Sequence, residues 1–146
     1  MKKIAMHNGI AKAILEIIFD TLNCKAALMA LYELEKKLNK KIPLMLSVTI
    51  TDLSGRTLSG QTLEAFYFSI KHSNPVSVGL NCALGPKELE SYVVELSRIS
   101  EFYVSVHSNA GLPNAFGEYD ESAESLASYA KNWGENGYLN IIGGCC

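Results

Sequence analysis

The sequence predicts an α/β fold in which five parallel strands alternate with four helices. Short β-prone segments alternate with amphipathic segments of helical length along the 146 residues. This alternation is typical of βαβ units with right-handed crossovers. A complete (β/α)8 barrel needs eight strands and eight helices in about 250 residues. The count therefore predicts part of a TIM-type barrel, with residues 1–146 as one partial domain.

Five short apolar runs are bounded by turn residues, and each is typical of a strand. In chain order they are residues 11–18, 44–50, 76–80, 102–107 and 139–142. The second is the clearest, because Pro43 precedes it and the turn sequence Asp52-Leu53-Ser54-Gly55 follows it. The fourth precedes residues 108–120, a segment whose length without secondary structure predicts a functional loop.

Four segments between these strands carry apolar residues at helical spacing. They are residues 22–38, 60–72, 86–99 and 122–136. Pro86 opens the third at the first-turn position that proline favours. Because parallel strands end at one edge of such a sheet, polar or reactive residues that follow the strands are expected to meet there.

The composition is that of a soluble globular protein, with 48% hydrophobic and 19% charged residues. A net charge of −2 gives no general attraction to nucleic acid or to an anionic membrane. No stretch approaches the roughly 20 apolar residues that span a bilayer. We therefore expect a cytoplasmic protein that binds neither nucleic acid nor a membrane. Its cysteines are expected to stay reduced and available for metal binding or catalysis.

Three of the four cysteines stand where predicted strands end: Cys82, and the adjacent pair Cys145 and Cys146. Three thiolates with an open fourth position fit a catalytic zinc site. The alternative from spacing alone is a pair of unligated thiols at the end of the sequence. Neighbouring strand residues face opposite sides, so both cysteines can bind one ion only if the backbone leaves strand geometry. Gly143 and Gly144 are expected to supply that freedom.

Other polar or reactive residues carry weaker signals. Cys24 lies within the first predicted helix, where a cysteine is usually a small buried residue. Glu16 interrupts an apolar strand, so its carboxylate is expected to be paired or to face a polar cavity, unless it faces water at a sheet edge. Asn81, next to Cys82, is expected to orient the site through a hydrogen bond or to cap the strand.

Four motifs in order give a more specific indication: TDLSGRTLSGQ at 51–61, GLNCALGP at 79–86, NAGLPN at 109–114 and GGCC at 143–146. Together they resemble the homocysteine-binding module of cobalamin-dependent methionine synthase. The resemblance runs from about Glu16 to the last residue. One departure is Ser108, because the family usually has proline after the histidine that stands here as His107.

The resemblance implies that the chain supplies the fourth to eighth strands of an eight-stranded barrel. It implies a zinc ion held by Cys82, Cys145 and Cys146, with homocysteine sulfur in the fourth position and no catalytic residue beyond the metal site. Soft sulfur ligands keep the complex negative, which leaves a fourth sulfur nucleophilic. Glu16 matches a glutamate that binds the amino group of homocysteine, and Asn81 borders the same substrate.

The implied activity is methyl transfer from methylcobalamin to homocysteine, giving methionine. The methylcobalamin would be recharged from 5-methyltetrahydrofolate, and both the cobalamin and the folate modules would lie outside this chain. Two alternatives remain at this stage. One is a betaine-dependent homocysteine methyltransferase, against which the long motif at 51–61 argues. The other is a truncated, non-catalytic product that at best binds zinc.

Overall fold

A computed structural model describes residues 2–7, 10–117 and 119–146, which form one six-stranded sheet and four helices. The chain begins with an antiparallel pair, β1 (Lys2–His7) and β2 (Ile10–Ile18). The remaining elements are α1 (Thr21–Leu38), β3 (Leu44–Val48), α2 (Leu63–Ile70), β4 (Ser77–Asn81), α3 (Pro86–Ile99), β5 (Tyr103–Ser108), α4 (Ala123–Glu135) and β6 (Ile141–Gly144). A single 3-10 turn, Lys71–Ser73, extends α2.

Strands β2 to β6 are parallel and lie side by side in chain order. Crossovers between parallel strands are right-handed as a rule, so strands that follow one another in chain order have their helices on one face of the sheet. This is the winding of a barrel rather than of a doubly wound sheet. The five parallel strands and four helices predicted from the sequence are confirmed. Strand β1 was not predicted, and β2 begins one residue earlier than expected.

The two faces of the sheet differ in chemistry. Apolar residues that alternate along the central strands form the core with the helices: Leu46, Val48, Val78, Leu80, Val104 and Val106. The intervening positions are small or polar and form the opposite face: Ser47, Ser77, Gly79, Asn81 and Ser105. Side chains of a strand alternate between faces, so this polar face is the inner surface of the curved sheet.

Side-chain caps set the start of three helices. Asp20 accepts hydrogen bonds from the Leu22 and Asn23 amides, Thr62 from Ala65, and Ser122 from Ser125. Each satisfies a backbone N–H that the first helical turn leaves unpaired. The cap at Thr62 starts α2 three residues later than the sequence predicted. In the part of the chain that the structure describes, no helix combines the length and the hydropathy needed to cross a membrane.

Candidate metal centre

The sheet register brings the cysteine-bearing strands together. Asn81 at the end of β4 pairs with His107 of β5, and His107 pairs with Gly143 of β6. Cys82 follows β4 directly, and Cys145 follows β6. Two segments more than 60 residues apart in sequence therefore end at the same edge of the sheet, separated only by β5.

The three sulfurs form a compact triangle. Cys82 Sγ lies 3.7 Å from Cys146 Sγ, and Cys145 Sγ lies 3.9 Å from Cys146 Sγ. All three atoms lie within 4.8 Å of one another. Zinc–sulfur bonds of about 2.3 Å place tetrahedrally arranged sulfurs about 3.8 Å apart. The spacing of the triangle therefore fits one tetrahedral ion, and three soft donors fit zinc better than a hard cation.

Cys82 reaches the triangle through an unusual backbone. Cys82 and Ala83 both have positive φ, at 61° and 60°. Such a conformation costs a non-glycine residue roughly 1–2 kcal/mol. Two hydrogen bonds hold it: the Cys82 amide donates to the His107 carbonyl at 3.0 Å, and the Leu84 amide donates to the Cys82 carbonyl at 2.7 Å. The turn ends β4 at Asn81, so the backbone at Cys82 no longer follows the direction of the strand.

Cys145 and Cys146 are held by the segment that follows β5. The Cys145 amide donates to the Ser108 carbonyl at 2.8 Å, and the Cys146 carbonyl accepts from the Ala110 amide at 2.8 Å. The Cys146 amide donates to Asn109 Oδ1 at 3.2 Å. Asn109 is 4% exposed. Asn109 begins the NAGLPN motif, but only its position directly after a strand indicates a structural role.

The two glycines before the cysteine pair do not serve the purpose expected from the sequence. Both belong to β6, and neither has positive φ, so strand geometry ends only at Cys145. A Cβ on Gly143 would lie 2.6 Å from His107 Cδ2 and 3.1 Å from His107 Nε2, whereas a Cβ on Gly144 would meet nothing within 4 Å. Gly143 is therefore needed for space, because the His107 ring occupies the position of a side chain.

The electrostatics of the triangle favour a bound cation. Burial, hydrogen bonding to Cys82 and Cys146 and the proximity of their sulfurs together raise the pKa of Cys145 to about 12. Negative charge on three adjacent sulfurs is unfavourable unless a positive charge lies among them. A divalent metal ion supplies that charge and deprotonates a thiol that coordinates it.

The fourth cysteine lies elsewhere. Cys24 is 4% exposed and belongs to the core beneath α1. Burial raises the pKa of its thiol to about 11, so it remains neutral. It lines a cavity of about 210 Å³ together with residues of β2, including Glu16. None of the three clustered cysteines lines this cavity.

Asn81 accepts a hydrogen bond from the residue that follows Glu16. Glu16 is half-buried in β2. Asn81, 4% exposed, uses its Oδ1 atom to accept from the Ile17 amide at 3.3 Å and from Ser47 Oγ at 2.8 Å. The residue that precedes Cys82 therefore contacts the residue that follows Glu16. The structure brings the three cysteines into one cluster, whereas Glu16 lies outside that cluster and lines the cavity that contains Cys24.

The polar loop that carries the 51–61 motif is closed by its own contacts. Asp52 accepts from the amide and hydroxyl of Ser54, Arg56 donates to the Gly60 carbonyl, and an isolated bridge joins Arg56 to Thr62. The bonds from Ser54 hold the pKa of Asp52 below its usual range. These side chains shape the loop at the carboxyl edge of the sheet, as expected for an Asx turn.

Comparison with known proteins agrees with this arrangement. The family model described as homocysteine S-methyltransferase matches residues 2–146. Two structures of the homocysteine methyltransferase MmuM from Escherichia coli share the fold. The apo form has a TM-score of 0.63 and 20% identity over 91% of this chain, and the metallated form has 0.59 and 22% over 82%. The chain spans only 43% and 36% of their lengths. The chain belongs to the homocysteine S-methyltransferase family.

Proposed function

We propose that the chain binds zinc through Cys82, Cys145 and Cys146 and uses the open fourth position to activate the thiol of homocysteine for methylation. The observation that carries this proposal is the spacing of the sulfurs, 3.7 and 3.9 Å, against the 3.8 Å or so of a tetrahedral zinc site. The metallated form of MmuM supports a metal in this fold.

The chemistry of the transfer follows from the donor set. A free thiol has a pKa of about 8.5, so only a small fraction is thiolate at neutral pH. Bound zinc would lower the pKa of the homocysteine thiol, and the three cysteine thiolates would keep electron density on its sulfur. In the transfer a sulfur–carbon bond forms, the bond between the methyl group and its donor breaks, and the electron pair of that bond stays with the donor. The thiol proton leaves to solvent.

Glu16 is proposed as the residue that binds the ammonium group of homocysteine. Glu16 is half-buried on β2, and the next residue of that strand, Ile17, donates its amide to Asn81, the residue before Cys82. A carboxylate binds an ammonium group through a charge-assisted hydrogen bond. Asn81 is proposed to border the substrate while its Oδ1 atom stays engaged within the protein.

The chain is proposed to form part of a barrel, from the fourth strand to the eighth. In support, its parallel strands are wound in one direction, their pairing does not close into a ring among the described residues, and the chain spans less than half of MmuM. A partial barrel predicts that methyl transfer needs a segment that completes the sheet.

Methylcobalamin is the methyl donor that we propose, delivered by a cobalamin module and regenerated by a folate module. Large apolar side chains are exposed on loops at the carboxyl edge of the sheet, namely Leu53, Leu58 and Phe116, at 70%, 72% and 89%. Exposed apolar area of this kind is typical of a surface that another body covers. A bulky donor on a separate module would cover it, whereas a small donor such as betaine would leave it in water.

The test uses the 146-residue chain loaded with cobalt(II), which takes the place of zinc and reports on its ligands. We expect about one equivalent of metal per chain and thiolate-to-cobalt charge-transfer absorption that increases when homocysteine is added. Absence of bound metal would overturn the proposal. Metal binding without a response to homocysteine would favour the non-catalytic alternative.

A further inference from the structure

One buried side chain joins three neighbouring strands on the inner face of the sheet. Asn81 is the last residue of β4, and its Oδ1 accepts from Ser47 of β3 and from the Ile17 amide of β2. The side chain therefore crosses β3 entirely. The same oxygen accepts both hydrogen bonds, so the side chain at position 81 must provide an acceptor.

The strand that Asn81 reaches is irregular where it is contacted. The register between β2 and β3 shifts between Leu15 and Ile18, so Glu16 and Ile17 together oppose Ser47. Ile17 has a φ of 57°, which is an outlier for a β-branched residue. A bulge removes one amide from the ladder of the sheet. The amide of Ile17 is satisfied instead by Asn81, and the ladder resumes where the Thr49 amide donates to the Ile18 carbonyl at 2.8 Å.

The bulge contains the residue that carries the proposed ammonium-binding carboxylate. Bulges are a common device for re-aiming a side chain next to an active site. Glu16 is the first residue of this bulge, while Asn81 is joined by a peptide bond to Cys82. A single side chain therefore fixes the strand that carries Glu16 against the strand that carries a clustered thiol.

We infer that Asn81 is a positioning residue that holds the Ile17 bulge and thereby fixes Glu16 relative to Cys82. One ligand then presents its ammonium group to Glu16 and its thiol to the metal site that includes Cys82. This rests on the proposed function, because it takes homocysteine as the ligand. It assigns Asn81 an action through Glu16 rather than a direct contact with the reacting atoms.

The experiment compares two thiols on the cobalt-loaded chain: homocysteine, and 4-mercaptobutyrate, which has the same thiol and carboxylate but no ammonium group. In the parent chain homocysteine should bind more tightly. Asn81→Ala should lower this preference roughly tenfold, as expected when a positioning hydrogen bond of about 1.4 kcal/mol is lost. Metal content should not change. Asn81→Asp keeps an oxygen acceptor and should restore most of the preference.

A second measurement is independent of the metal. The exchange rate of the Ile17 amide with deuterium should rise at least about tenfold in Asn81→Ala, since its acceptor is removed. Ser47→Ala is the matched control, because it removes the other donor and leaves the bond to Ile17. It should change neither the exchange nor the preference appreciably.

The outcomes separate the two hypotheses. If Glu16→Gln loses the preference while Asn81→Ala keeps it, or if exchange at Ile17 is unchanged in Asn81→Ala, the positioning role is wrong and the proposed function stands. If neither thiol binds the cobalt-loaded chain, the proposed function itself fails. If both thiols bind and Glu16→Gln also keeps the preference, the assigned role of Glu16 fails, and the inference fails with it.

Discussion

The two segments that supply the clustered thiols solve the same geometric problem in opposite ways. Cys82 turns out of its strand through two non-glycine residues with positive φ, whereas Cys145 and Cys146 follow two glycines in extended conformation. The segment with alanine adopts the strained backbone, and the segment with glycine does not. Glycine at 143 is explained by the His107 ring beside it. Local composition alone therefore does not show where a backbone is strained.

The largest expected effect comes from removing the ligand on the strained segment. Cys82→Ala should reduce bound zinc from about one equivalent per chain to almost none, because two thiolates complete only half of a tetrahedral site. Metal analysis after dialysis against a weak chelator measures this. Cys24→Ala is the control, since that thiol lies in the core. Loss of zinc from Cys24→Ala and its retention in Cys82→Ala would place the metal elsewhere.

A substitution outside both thiol-bearing segments should weaken substrate binding without changing zinc binding. Glu16→Gln should retain zinc and weaken homocysteine binding roughly ten- to a hundredfold, because a charge-assisted hydrogen bond contributes about 1.5–3 kcal/mol. Titration of the cobalt-loaded chain with homocysteine measures the affinity. Unchanged affinity would mean that Glu16 does not bind the ammonium group.

Substitution of Gly143 and Gly144 tests whether glycine is needed there for space or for backbone freedom. Gly143→Ala should weaken zinc binding about tenfold, because its Cβ would lie 2.6 Å from His107 Cδ2 and must displace the ring or β6. Gly144→Ala, which meets nothing within 4 Å, should have little effect. Competition with a chromophoric chelator measures both affinities. Equal losses in the two variants would show that backbone freedom matters after all.

The sequence predicts the parallel part of the fold well because periodicity is a local property. All four helices and the five parallel strands fall within a few residues of their predicted bounds. The main omission is β1. The dipeptide Asn8-Gly9, which precedes β2, is a typical hairpin signal and could have indicated it.

The site was harder to predict, because its organisation depends on contacts between distant residues. The positions of the three cysteines after strands predict that they lie together. Asn81 accepts hydrogen bonds from Ile17 and Ser47, which lie on two other strands. Asn109 accepts one from Cys146, which follows β6. Glu16 interrupts the apolar run of β2 at this bulge, but the interruption does not by itself predict a shift in register. Strand-end residues can be read from sequence, but the hydrogen bonds that hold them need the register of the whole sheet.

The smallest expected effect tests the strain at Cys82 and Ala83. Ala83→Gly removes a cost of roughly 1–2 kcal/mol for positive φ, while glycine loses about 0.5–1 kcal/mol through its greater freedom in the unfolded chain. The net change should be a stabilisation of about 0.5–1 kcal/mol, measured by urea unfolding of the metal-free chain. Ala26→Gly on the exposed side of α1 is the matched control and should destabilise by about 1 kcal/mol, because its φ is helical. Opposite signs for the same substitution would locate the strain at the turn after β4. Destabilisation in both variants would mean that Ala83 is not strained, and the contrast between the two thiol-bearing segments would then rest on the packing of Gly143 alone.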